Sequence, residues 1–205
     1  DLICQGYYRR VLLEASRLSY CQVNSLEQPL FAETEQPDLL AQDLSIVSLS
    51  TDLAGLVAAR RAGREARSLA DWHGVIDWAF ATYGPRAIAV KSQAAYQRRL
   101  DYDDVSAGDA APLFARFAAD NSALSAAELK ALQDHLFNTC ARKAGERGLP
   151  IKLHTGTYAG TRRMPLHRVR ANGGDVSELL LRYPGLRFGL PSGTVGRGLY
   201  NGLGS

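Results

Sequence analysis

The chain has 205 residues, 46% apolar and 22% charged, which suits one globular domain with a substantial core and excludes a disordered or fibrous polymer. Its formal charge of +3 and pI near 8.8 come from 24 Lys and Arg scattered along the sequence, so neither nucleic acid nor a membrane surface is expected as a partner. No apolar stretch approaches the ~18–20 residues that span a bilayer, and Asp1-Leu-Ile-Cys lacks the basic start of a signal peptide, so a cytoplasmic protein is expected.

In chain order, residues 6–18 place Tyr8, Val11, Leu12 and Ala15 at helical spacing between charges, an amphipathic helix. A strand is predicted over 19–24, stopping at Asn24-Ser25, and the acidic stretch 29–37 reads as loop. The small and β-branched run 44–50 predicts a second strand, with Thr51-Asp52 as the cap of a helix over 53–67 that Gly55 and Gly63 weaken. A cleaner helix over 68–83 lines up Leu69, Trp72, Ile76 and Phe80, and Gly84-Pro85 ends it. The third strand, 87–91, carries Lys91 toward a loop. Asp101, Asp103 and Asp104 then read as a solvated acidic turn or as carboxylates close to a site. Ser125-Ala-Ala-Glu128 is a capping box, opening a helix through Leu129, Leu132, Leu136 and Cys140 to about residue 147. A fourth strand over 151–154 leads to a glycine-bearing loop, a helix over 164–182 divided at Asn172-Gly-Gly174, and a last turn and strand over 183–190. Strand and helix alternate four to five times, which predicts an α/β fold with a parallel sheet and flanking helices. Cys4, Cys21 and Cys140 have unrelated spacings and read as reduced thiols.

Two strand ends carry the chemistry. Pro85-Arg-Ala-Ile-Ala-Val-Lys91 and Leu149-Pro-Ile-Lys-Leu-His154 are short apolar runs that each end in a proton-handling or metal-competent side chain, as at the C-terminal strand ends of parallel barrels. A charge at the end of a buried run must be paired or used. Lys91 and His154 are therefore the catalytic candidates. Arg98, Tyr158 and Arg162 are candidates for holding a small-molecule substrate, and His167, beyond the loop after His154, is a further metal-ligand candidate. His73 and His135 sit inside helical patterns and read as helix-surface or packing residues.

The run Tyr83-Gly-Pro-Arg-Ala-Ile-Ala-Val-Lys-Ser-Gln-Ala-Ala-Tyr-Gln-Arg-Arg-Leu-Asp-Tyr102, followed by Pro150-Ile-Lys-Leu-His-Thr-Gly156 and Met164-Pro-Leu166, resembles the amidohydrolase superfamily, in particular metal-dependent barrel hydrolases of the amidohydrolase-2 type. The resemblance covers roughly residues 7–188. It implies a partial TIM-type (β/α) barrel in which Lys91 is the lysine closing the fourth barrel strand, which bridges metals when carbamylated, and His154 the histidine closing the fifth, a metal ligand. A divalent metal is implied, zinc or alternatively manganese or iron, with metal-activated water hydrolysing esters, lactones or phosphotriesters. The chain departs from that pattern in lacking a His-x-His pair on the first strand and a histidine near Arg187-Phe-Gly-Leu190, and it ends before an eighth-strand aspartate. Residues 1–190 are thus expected to form about half a barrel and 191–205 a glycine-rich tail outside the family pattern. The apolar sides of 44–49, 87–90 and 151–153 would lack a full ring of neighbours, so a homodimer or higher even oligomer is expected to complete them. The alternative is a catalytically inactive structural fragment that oligomerises. A decarboxylase of the same superfamily would need the missing first-strand ligands.

Overall fold

The computed structural model describes residues 6–24, 30–155 and 166–190. The chain begins with α1 (Tyr7–Arg9), which widens into a π-helical turn over Arg10–Ala15. β1 (Cys21–Val23) and β2 (Leu40–Ser45) follow, then α2 (Val47–Ser50), α3 (Gly55–Arg61), α4 (Leu69–Tyr83) and β3 (Ala89–Ser92). The second half holds α5 (Ala107–Ala119), α6 (Ala126–Glu146), β4 (Ile151–Leu153), α7 (Leu166–Arg182) and β5 (Phe188–Gly189). The strands form one sheet in the order β1-β2-β3-β4-β5, every neighbouring pair parallel. Consecutive parallel strands lying side by side, with described helices between them from β2 onward, make a curled half of a (β/α) barrel.

The register sorts the side chains. Leu44 stands opposite Val90, Val90 opposite Ile151, and Ile151 opposite Phe188. This row is 4% exposed or less and joins a core that includes Trp72 and Phe80 of α4 and Leu136 and Phe137 of α6, each of these four 0% exposed. Burying each such side chain stabilises the fold by about 1.5–3 kcal/mol. The apolar sides expected to need a partner chain are therefore covered by the chain's own helices.

The capping box expected at Ser125–Glu128 forms, and a second, at Ser68–Asp71, opens α4. Ser68 Oγ accepts from the Asp71 amide at 3.2 Å and the Asp71 carboxylate accepts from the Ser68 amide at 2.9 Å, while Ser125 and Glu128 do the same for α6. α4 then buries Leu69, Trp72, Val75, Ile76, Ala79 and Phe80, and the Trp72 indole donates to the Leu49 carbonyl at 3.0 Å.

The second strand lies earlier than the sequence pattern places it. β2 ends at Ser45, and from Ile46 the backbone winds into α2, because Ser50 returns both its amide (2.9 Å) and its hydroxyl (2.7 Å) to the Ile46 carbonyl. The helix expected over 53–67 contracts to α3 and ends where Gly63 turns left-handed at φ 71. At its start, a Cβ on Gly55 would stand 2.7 Å from the Ser48 carbonyl oxygen, so only glycine lets α2 and α3 approach this closely. α5 had no counterpart in the sequence pattern. Pro112 lies inside it, yet Ser106 caps it by accepting from the Asp109 amide at 3.1 Å, and Ala110 and Phe114 reach the core. α7 runs unbroken through Asn172-Gly-Gly174, where the buried Asn172 donates to the Thr155 carbonyl at 2.9 Å. Cys21 and Cys140 are free, and burial pushes the Cys140 thiol up. Cys4 and the tail 191–205 lie outside the described residues. Among those described, no helix is long and apolar enough to cross a membrane.

Candidate active site at the strand ends

The second row of the sheet is polar. Ser45 faces Lys91, Lys91 faces Lys152, and Lys152 faces Gly189, with Asp43 opposite Ala89 on the same side. Asp43 is 0% exposed and accepts from Lys152 Nζ at 2.7 Å and from Gln22 Nε2 at 2.8 Å. Lys152 also donates to Asn24 Oδ1 at 3.2 Å. To reach Asp43 on β2, Lys152 on β4 must cross β3 over Ala89, which is small enough to allow it. A Cβ on Gly189 would stand 3.4 Å from Lys152 Cγ, so the lysine stem packs directly beside β5.

Lys91 is 3% exposed, and among the described residues no hydrogen bond or ion pair holds its ammonium. Burial pushes its pKa down to about 8, the nearby Lys152 lowers it further, and Asp43 opposes both. His154 lies just past β4. Its amide donates to the Ser92 carbonyl at 3.0 Å, which continues the ladder and sets His154 two residues beyond Lys152, diagonal to Lys91. Its imidazole stacks on Tyr96, with ring centroids 4.8 Å apart and planes inclined by 23°.

The other candidates separate. Arg98 is tied into the helix layer, its side chain 11% exposed: the guanidinium pairs with Asp134, donates to Gln133 Oε1 at 3.1 Å, and lies 4.5 Å over the Tyr102 ring. Asp134 also accepts from Lys130 Nζ at 2.6 Å. Arg98 fastens the segment after β3 to α6. Asp103 is likewise taken by Lys130 at 2.7 Å, which holds its carboxyl below the usual range. His167 is exposed in the first turn of α7, and Tyr158 and Arg162 lie outside the described residues. Among the described residues no group of three or more His, Cys, Asp or Glu could hold a metal ion.

Asp43, Lys152, Gln22, Asn24 and Tyr96 are the site residues that sequence reasoning missed. The signal for two of them was the alternation of Ile151/Leu153 with Lys152/His154 and of Leu44 with Asp43/Ser45, which puts these four polar residues on one face.

No family model matches the chain and no curated protein is similar to it. Solved structures share its fold, among them the following. Uronate isomerase from Thermotoga maritima superposes with a TM-score of 0.65 at 10% identity, over 89% of this chain and 46% of its own. A protein from Lactobacillus casei ATCC 334 assigned as a metal-dependent hydrolase gives 0.65 at 14% identity, over 90% and 48%. Glucuronate isomerase from Caulobacter crescentus gives 0.62 at 13%, over 91% and 44%. The chain thus spans a little under half the length of each structure, and at these identities the likeness is one of fold.

Proposed function

We propose that this chain contributes half of the active site of a metal-dependent hydrolase of the amidohydrolase type. Lys91 carries the reading: a buried strand-end amine without an ion pair among the described residues, its pKa lowered to about 8, diagonal to the His154 imidazole. Lowering the pKa raises the share of neutral amine, the form that takes up carbon dioxide as a carbamate and so becomes an anionic ligand. His154 supplies an imidazole whose plane Tyr96 restrains. Two donors fall short of the three protein ligands usual at a catalytic zinc. Lys91 and His154 therefore fit a divalent metal, zinc, manganese or iron, as part of a larger set. In this reading a second copy of the chain brings the remaining donors, the sheet edges at β1 and β5 meeting across a two-fold axis. When bound, the metal would supply water of lowered pKa and polarise the oxygen of an ester, lactone or phosphotriester.

The test is native mass spectrometry for oligomer size and metal content, with hydrolysis assays on aryl esters, lactones and phosphotriesters. His154→Ala and Lys91→Ala are each expected to remove most activity while circular dichroism stays parental, and dilution should lower specific activity in step with loss of dimer. Parental activity in both variants at equal metal occupancy would refute the assignment. The lack of a third donor among the described residues favours a second reading, an inactive fragment that oligomerises. Protein purified without stoichiometric metal and without activity would establish it.

A further inference from the structure

On the outer layer, α4 and α6 bring two histidines together. His73 Nε2 and His135 Nε2 are 2.9 Å apart, with ring centroids separated by 5.1 Å and planes inclined by 30°. His135 Nδ1 lies 2.8 Å from the Val105 carbonyl oxygen. A carbonyl only accepts, so Nδ1 of His135 carries the proton and its Nε2 presents a bare lone pair toward His73. Fixing the far nitrogen on a backbone carbonyl while the near one stays bare is how proteins orient an imidazole toward a metal ion. His135 is 3% exposed and His73 half-buried, so one ring is anchored and the other can be reached from solvent.

We propose that His73 and His135 form a two-imidazole clasp for a divalent transition ion of the zinc, nickel or copper class, separate from the strand-end site. Imidazole nitrogen is a donor these ions favour. Two imidazoles on one tetrahedral ion, each bound at roughly 2.0–2.1 Å, place their ring centroids about 5 Å apart. The two nitrogens, 2.9 Å apart as a hydrogen-bonded pair, open to about 3.3 Å as the rings tilt around the ion. His73 shifts its proton from Nε2 to Nδ1, a change of tautomer that releases none, and water completes the coordination. The charged groups nearby are Asp77 on α4 and Arg142 and Lys143 on α6. Lys143 is tied to Asp77 at 2.8 Å and to Glu146 at 3.4 Å, and Arg142 donates to Thr139 Oγ1 at 3.2 Å. Burial, followed by the neighbouring His135, lowers the His73 pKa.

The experiment is a calorimetric titration of chelator-stripped protein with zinc chloride, comparing the parent with His154→Ala, His73→Gln and His135→Ala, alongside thermal denaturation. Gln at 73 can still donate to His135 but is a far poorer metal ligand, so it separates ion binding from a structural hydrogen bond. The clasp predicts one zinc per chain retained by His154→Ala and lost from His73→Gln and His135→Ala, with zinc raising Tm in the parent but not in His73→Gln. Parental zinc uptake by His73→Gln, or none by a folded His154→Ala, would overturn it. A site lost only in His154→Ala supports the strand-end reading and refutes the clasp.

Discussion

On the helix side of the sheet, Leu44, Val90, Ile151 and Phe188 form a row without a polar atom in its side chains; one residue further along, the same strands present Ser45, Lys91, Lys152 and Gly189 on the opposite side. The first row is closed over by α4 and α6. The second holds a buried Asp43–Lys152 pair and a lysine with no counter-ion among the described residues. Because side chains alternate at period two, a slip of one residue would exchange the faces, so the apolar row fixes the register that places the charged one. Stability and chemistry are thus carried by neighbouring residues, and each face can be perturbed alone.

The largest effect is expected from the helix side. Phe137 is 0% exposed and stacks on Tyr102 with ring centroids 3.7 Å apart, so Phe137→Ala should cost about 3–5 kcal/mol in denaturant unfolding. A cost below ~1 kcal/mol would show that this packing is not the anchor of the register. On the polar face, Asp43→Asn leaves the Lys152 ammonium, 15% exposed, without its carboxylate and should cost roughly 2–3 kcal/mol, less than a fully buried pair because some water remains. The double variant Asp43→Asn/Lys152→Met should recover most of that loss, as expected of a coupled pair. Additive losses would mean the two groups act independently.

Lys91 should behave in the opposite way. Its folded pKa of about 8 lies below the ordinary 10.5, so the folded state binds its proton more weakly than the unfolded chain does. The associated stability is present above pH 10.5 and is lost as pH falls through the window down to about 8, by up to about 3 kcal/mol. Lys91→Met should therefore be more stable than the parent at pH 7, by about 1–3 kcal/mol, and the difference should vanish toward pH 10.5. Carbamylation would cancel the gain, so repeating the melt with and without bicarbonate sharpens the comparison between a free amine and a modified one.

Much of the fold was legible because local signals agreed with tertiary ones. Ser125 announced α6 with its capping box, the spacing of Leu69, Trp72, Ile76 and Phe80 announced α4, and the turn at Gly84-Pro85 separated helix from strand. β2 was misplaced because its polar residues, Gln42 and Asp43, look unlike a buried strand until the opposite face is known to be charged. α5 was hidden by Pro112, whose cost is offset by the burial of Ala110 and Phe114 on a face that the sequence alone does not reveal. At the site, Lys91 and His154 stood out as strand-end residues. Asp43 and Lys152 did not, since their pairing across Ala89 spans 109 positions and depends on register. The His73–His135 contact also arises from helix packing across 62 positions, which periodicity within either helix cannot show.

The smallest predicted effect lies outside both faces, at the start of α6. Ser125 Oγ accepts from the Glu128 amide at 3.3 Å, and the Glu128 carboxylate accepts from the Ser125 amide at 2.9 Å while pairing with Arg116 Nη1 at 2.6 Å. The Arg116 bond and then the Ser125 bonds hold the Glu128 carboxyl well below its usual range. Ser125→Ala should cost about 1 kcal/mol, the ordinary value of a lost N-cap. Arg116→Ala should cost less than ~1 kcal/mol, because the pair is exposed and salt-screened. Neither change touches the register or the strand ends, so both should leave the hydrolysis proposed above at its parental rate and shift only the midpoint of urea unfolding. A loss of activity with Ser125→Ala would mean that α6 transmits its N-terminal position through Arg98 and Asp134 to the segment after Lys91, and the separation of the two faces from the helix layer would then fail.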